Sequence, residues 1–431
     1  MKSWLKHAHP LVLATAVAVV LVACDEQLDG GAACPILCPQ PPSSVRDTTF
    51  FAVEMDTSIA GFPSIGAELQ MFIASLGDTL QTRGIIRFDS LPLTFRHNNT
   101  VVDSNIVNVD TGAFLQLGLV RPDTLGAPTT VEVYDVDMNG AEEADPTAVT
   151  AAFTAARLIG SRTIPADSMK DTVRIPIDPS VLLAKIQSST DRLRLGLRVT
   201  SAAGSAKMTV VTSNGAGTYG GALEPQLRFR PSADTSVGIT TMVPRSVTPP
   251  ETFIASDLAD YLVVAKASPD PPSNVIRVGG MPGRRAYLRF NIPSRILDSS
   301  NVVRATLMLT QRPNAFSPTA GDTVAVEQFI VTAGPAVGDL SRALLFLTGL
   351  GRPDSSRLVA ADSGQRDFEM ISLVRAWRST TADKTPRALA LRSTRESLTP
   401  GQIDFFSLEA PLAVRPKLRI TYVPQTVTGL P

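Results

Sequence analysis

The chain has 431 residues, 44% of them hydrophobic and 19% charged, with 40 Lys+Arg balancing 40 Asp+Glu. That length is too great for one ordinary domain and comfortable for two, and the composition excludes whole-chain disorder. Zero net charge leaves no global field to steer the chain to nucleic acid, and three histidines, two of them His7 and His9, exclude a multi-histidine metal centre beyond the N-terminus.

The N-terminus reads as a targeting segment. Lys2 and Lys6 precede an apolar run over 11–22 that is short for a bilayer span. The run ends in Leu21-Val22-Ala23-Cys24, which resembles the bacterial lipobox. The resemblance implies that 1–23 is a signal peptide and that Cys24 is lipidated. Each buried methylene contributes about 0.8 kcal/mol, so acyl chains on one residue hold a soluble body on a membrane. The expected location is the bacterial cell envelope, with the domains outside the cytoplasm and the choice of membrane open. Residues 24–46, rich in Gly and Pro, read as a flexible stalk. Cys34 and Cys38, with three residues between them, are candidates for a local disulfide or two free thiols. They lack partners for a metal site and the spacing of a thioredoxin-like motif.

From residue 47 onward, short apolar strands alternate with turn-rich stretches. Early strands are expected around Ile85 and Phe88, at 113–120 and at 131–136. The loop Asp135-Val136-Asp137-Met138-Asn139-Gly140 opens like a calcium-binding loop, with oxygens at alternate positions. Its twelfth position is Pro146 rather than Glu. Asp135, Asp137, Asn139, Glu143 and Asp145 are therefore candidates for a structural calcium site, against the plainer reading of an acidic hairpin insertion. Val173, Ile175 and Ile177 alternate with polar residues, and Pro179 opens a short helical segment to Ile186 that Asp178 would cap. Leu193, Leu195, Leu197 and Val199 alternate with Arg194, Gly196 and Arg198, which predicts one buried and one wet face. Many such strands without a β-α-β rhythm predict an all-β fold of antiparallel sandwiches.

The second half repeats the plan. Ala286-Tyr287-Leu288-Arg289-Phe290-Asn291 matches Gly84-Ile85-Ile86-Arg87-Phe88-Asp89, and Phe368-Glu369-Met370-Ile371 matches the strand at 173–177. A helical segment with Leu373, Val374 and Trp377 follows. Residues 387–392, 402–407 and 416–422 then match 192–199, 207–212 and 225–231. The two copies run over 47–232 and 250–425, with a Ser/Thr/Pro-rich linker at 233–249 and a tail at 426–431. The second copy is expected to fold alone.

Over 250–425 the series Leu288-Arg289-Phe290-Asn291, 302–309, Leu373-Val374-Arg375-Ala376-Trp377, Phe405-Phe406-Ser407-Leu408-Glu409 and Arg415-Pro416-Lys417-Leu418-Arg419-Ile420-Thr421-Tyr422 resembles the DNRLRE-type domain. That family is related to disaggregatase-repeat modules and to alginate-binding carbohydrate modules. The first copy keeps Arg87-Phe88-Asp89 and Pro225-Gln226-Leu227-Arg228-Phe229 but lacks the helical Trp and the Arg-Pro-Lys triplet. The resemblance implies two jelly-roll-like β-sandwiches in tandem, each with a short helical turn. Phe88, Leu288, Phe290, Leu373, Trp377 and Leu418 are the expected core, and Arg289 and Arg419 are expected to pair with carboxylates across the sheet.

Little in the chain carries chemistry. There is no nucleophile elbow, and His97 sits in the polar loop Arg96-His97-Asn98-Asn99. Glycoside hydrolysis needs only two acids, but no pair stands out by spacing. The expectation is a non-catalytic, membrane-anchored envelope lipoprotein with a structural or protein-binding role. The alternative is polysaccharide binding or adhesion, and a minor one is a polysaccharide-active enzyme. Aromatic residues make up only 6%, which weakens the glycan alternative. Partners are the membrane, through the lipid, and a polysaccharide or envelope protein, with no nucleic acid.

Overall fold

The computed structural model describes residues 44–425, apart from 52, 63–65, 67, 98–103, 111, 121–126, 139–144, 167–169, 189, 247–257, 315–322, 332–345, 348–354, 380–387 and 397. The described chain is all-β and forms two antiparallel jelly-roll-like sandwiches. It opens with β1 (Arg46–Phe50) and β2 (Val53–Phe62). Next come β3 (Gln70–Leu76), β4 (Leu80–Asp89), β5 (Thr94–Phe95), β6 (Ser104–Asn105), β7 (Phe114–Gly118), β8 (Thr129–Asp135), β9 (Leu158–Ile164), β10 (Thr172–Pro176), β11 (Arg192–Thr200), β12 (Ser205–Val211) and β13 (Gln226–Phe229). A second opening pair, β14 (Thr240–Met242) and β15 (Asp260–Lys266), precedes β16 (Val275–Gly279), β17 (Gly283–Phe290), β18 (Ser300–Arg312), β19 (Thr323–Val331), β20 (Phe346–Leu347), β21 (Ser355–Val359), β22 (Gly364–Glu369), β23 (Ala388–Ser393), β24 (Gln402–Phe406) and β25 (Lys417–Pro424). Short helices α1 (Pro146–Ala151), α2 (Pro179–Ile186) and α3 (Ile371–Ser379) sit at strand ends.

The strand pairing reproduces the sequence repeat. One sheet of the first sandwich runs β15-β4-β11-β8-β9, and its counterpart in the second runs β2-β17-β23-β19-β21. The opposing sheets are β14-β13-β7-β10 and β1-β25-β18-β22. Alongside them lie the pairs β3-β12 and β16-β24. Within each sandwich both sheets feed one core. Phe88, Leu115, Leu195 and Phe229 meet in the first, and Leu288, Phe290, Leu307, Leu373, Trp377 and Leu418 in the second.

The first two strands of each repeat, however, complete the other repeat's sandwich. β1 lies antiparallel on β25, from Arg46 opposite Tyr422 to Phe50 opposite Leu418, and β2 runs along β17. In the same way β14 lies on β13 and β15 on β4. The boundaries at 47–232 and 250–425 are therefore corrected. The first sandwich is continuous over 70–266, and the second combines 275–424 with 46–62. The 233–249 linker contains β14, and 250–425 lacks two strands of its own sandwich. The physical reason is that an alternating strand fits either copy's edge equally well, because both edges present the same motif.

The helical segments form where their sequence places them. Pro179 begins α2, and the Asp178 carboxylate accepts from Ser180 Oγ at 2.7 Å and Ser180 N at 2.9 Å, which hold that carboxyl below its ordinary range. The wet face expected on β11 is corrected as well. Leu193, Leu195, Leu197 and Val199 face the main core, but Arg194 on the other face is only 1% exposed. A satellite core of Ile85, Tyr134, Val136, Val149, Leu258, Tyr261 and Val263, brought by α1 and β15, covers that side. Gly196 is needed there, since a Cβ would lie 2.5 Å from Phe153 Cζ and 2.6 Å from Val136 Cγ1.

Candidate functional site

The chemistry-bearing side chains gather where the exchanged strands dock. Asp260 opens β15 opposite Ile86, and Asp56 lies on β2 opposite Leu288, the matching residue of the second copy. Both carboxylates reach a residue shortly beyond a neighbouring strand, Asp260 beyond β12 and Asp56 beyond β24. Asp260 accepts from Ser213 N at 2.7 Å and Ser213 Oγ at 3.0 Å, and Asp56 accepts from Leu408 N. Each is an aspartate latch that fastens a donated strand to its host. Burial raises both carboxyl pKa values, that of Asp260 to about 6. Beside Asp260 lies Glu68, buried and pushed up to about 7 by desolvation and by the Asp260 charge. Further pairs hold the N-terminal strands. Asp47 receives Arg419 and Thr421, Glu54 receives Arg289 at 3.1 Å, and Ser58 Oγ accepts from Arg277 N at 2.7 Å. The expected carboxylate partners of Arg289 and Arg419 thus come from the exchanged strands.

A second constellation repeats on the outer face of both sheets. In the first sandwich Arg198 meets Glu132 and lies 4.9 Å over the Tyr134 ring. At the matching place in the second, Arg392 Nε donates to Glu327 at 2.6 Å and its guanidinium lies 4.1 Å over Phe329. Arg285 makes a bidentate pair with Glu396 at 2.7 and 2.6 Å. Its counterpart Arg83 bonds Thr82 O and Gln81 Oε1 instead and lies under Phe153. Burial and the neighbouring Arg198 charge push the Arg83 pKa down. Between β16 and β24 of the second sandwich, Arg277 and Asp404 form a buried bidentate pair at 2.7 and 2.9 Å. These pairs rigidify the sheets, and none places a base beside a nucleophile.

The candidate calcium residues separate. Lys185 Nζ sits 3.0 Å from both Asp135 Oδ2 and Asp137 Oδ2, and Arg192 Nε lies 2.8 Å from Asp137 Oδ1. The Lys185 ammonium thus lies between the two carboxylates. Asp145 instead caps α1, accepting from Thr147 N at 2.8 Å. Asn139 and Glu143 lie outside the described residues, as do Cys24, Cys34 and Cys38. Among the described residues no group of three metal-ligating side chains forms, and no helix is long and apolar enough to cross a membrane. His97 is 3.8 Å from Asp234, at the surface. Trp377 is 2% exposed and Tyr287 is fully buried, its hydroxyl pKa pushed by burial to about 12. The aspartate latches escape sequence reasoning because nothing local marks a donated strand. Their one signal is an aspartate at matching places in the opening strands of the two copies.

No family model and no curated relative matches the chain. Among solved structures, the naturally occurring empty top-component particles of cowpea mosaic virus match at 8% identity and a TM-score of 0.14, over 92% of this chain and 98% of theirs. The Macrobrachium rosenbergii nodavirus matches at 8% identity and a TM-score of 0.15, over 90% of this chain and 93% of that one.

Proposed function

We propose that the chain is a non-catalytic bacterial envelope lipoprotein, lipidated at Cys24, whose paired sandwiches serve a structural or protein-binding role. The observation that carries this reading is the interlocking of the two sandwiches by exchanged strands. It couples them into a cross-braced element. Trp377, Tyr134, Tyr261 and Tyr287 are buried, and among the described residues the large apolar side chains at the surface include one aromatic, Phe51. The resemblance of Leu21-Val22-Ala23-Cys24 to a lipobox supports the anchor, and the DNRLRE-like motifs support a non-catalytic module.

Polysaccharide binding is the second reading, favoured by the partly exposed Arg198–Glu132 and Arg392–Glu327 pairs that recur at matching places in the two sandwiches. A binding screen of the full chain against polysaccharides and envelope fractions tests the proposal. Retention by an envelope protein, with no glycan held, is the expected result. A glycan held through Arg198 or Arg392 replaces it with the second reading, and a glycan that is bound and then shortened overturns both. For the anchor, Cys24→Ser is expected to move the protein from the detergent phase to the aqueous phase. An unmodified Cys24 still preceded by residues 1–23 in the native host defeats that part.

A further inference from the structure

The outer face of β14-β13-β7-β10 differs in charge from its counterpart in the second sandwich. Arg174 lies opposite Gln116, Phe114 lies opposite Arg228, and Arg228 lies opposite Thr241. Leu115, Ile175 and Leu227, between them along the strands, enter the core, so these side chains face outward. Both guanidiniums converge on one ring, Arg174 at 5.1 Å and Arg228 at 5.8 Å from the Phe114 centroid, and Arg174 Nε donates to Gln116 at 3.2 Å. Arg228 Nε is buried without a hydrogen-bond partner, and among the described residues neither arginine meets a carboxylate. In the second sandwich the same register puts Asp367 where Arg174 stands and Glu369 where Pro176 stands, and it puts Asp47 beside Arg419, the counterpart of Arg228. The place of Asp47 falls to Ile239, 49% exposed, and Val243 is 45% exposed further along the same edge. The first face thus keeps its arginines without the acids that neutralise the second. We propose that it binds an extended acidic segment of a partner protein, whose carboxylates pair with Arg174 and Arg228 and whose apolar side chains cover Ile239 and Val243. The proposal rests on the protein-binding reading above and names its surface. The guanidinium fork matches a carboxylate, and Phe114 and Gln116 already hold it in place, which lowers the ordering cost of binding. Two arginines on separate strands fall short of the cluster of about four to eight cations that anionic lipid requires. The Phe114 ring is taken up by the guanidiniums, and the branched Ile239 and Val243 suit apolar side chains better than sugar faces.

The test titrates the full chain into a labelled peptide of alternating glutamate and valine, with a lysine–valine peptide as the control of sign. The acidic peptide is expected to bind, more weakly as salt rises, and the basic one not to bind. Arg174→Glu with Arg228→Glu should weaken binding by about tenfold or more. Ile239→Asp, at an exposed position, should weaken it as well while the melting midpoint stays where it was. Arg304→Glu with Lys417→Glu makes the same change of net charge on the second sandwich and should leave the affinity unaltered. An acidic peptide that is not held overturns the proposal, and so does equal weakening by the control pair. Phosphatidylglycerol vesicles or a polyuronate held through Arg174 and Arg228 in place of the peptide overturn it too. Capture of an envelope protein that survives both changes at this face keeps the protein-binding reading and overturns the surface assigned to it.

Discussion

Glu68 and Asp260 show how a buried carboxylate becomes a stability device. The folded chain holds their protons to about pH 7 and about pH 6, whereas unfolded carboxyls titrate near 4. The sign follows from that order. Their contribution is complete below the unfolded values and is lost as pH rises through the folded ones, with Glu224 adding like charge near Asp260. Glu68→Gln should therefore raise the melting midpoint at about pH 8 and leave it nearly unchanged at about pH 4. Melts of both proteins across that range measure it, and a gap that stays constant with pH contradicts it. Trp377 is a residue of the opposite kind, apolar and enclosed between the sheets of the second sandwich. Trp377→Ala should cost about 3–5 kcal/mol, and Trp377→Phe much less. Denaturant titration checks the order, and an unchanged midpoint for the alanine variant contradicts the packing. Lys185 gives a third case. With its ammonium already between Asp135 and Asp137, calcium should not shift the melt of the parent chain. A clear rise at millimolar calcium contradicts that arrangement.

At the scale of elements, what was legible in the sequence was whatever is local. Asp178 and Pro179 announce α2 in adjacent positions, and the side-chain cap forms as the residue types require. Asp178→Ala should cost about 1 kcal/mol, seen as a lowered midpoint, and an unaltered midpoint counts against the cap. The alternation of Leu193, Leu195 and Leu197 gives β11 and its core face. It does not give the other face, because the cover over Arg194 comes from α1 and β15, far away in sequence. The same limit applies to the acidic loop at 135–140. Asp135 and Asp137 carry the oxygens of a metal loop, and the lysine that neutralises them is 48 residues onward on α2. Matched copies of one motif, such as Ile86-Arg87-Phe88 and Leu288-Arg289-Phe290, made the repeat visible. They also made the exchange invisible, since β2 and β15 find equivalent neighbours in either sandwich.

For the molecule as a whole, exchange turns two modules into one braced unit. The chain passes between the sandwiches twice, at 63–69 and 267–274, so neither can turn freely about a single linker. Whatever pulls on the N-terminus meets the second sandwich first, through β1 on β25. The central claim is that the second sandwich depends on strands from the other end of the chain. Trp377 reports on it directly, because a chain beginning at Cys24 contains no other tryptophan. The deciding measurement is the Trp377 fluorescence melt of that chain with and without residues 44–62. The account predicts a clearly lower Trp377 midpoint in the shortened chain, restored by adding the 44–62 peptide. An identical midpoint in both chains would contradict it, because the second sandwich would then be complete without the strands assigned to it here.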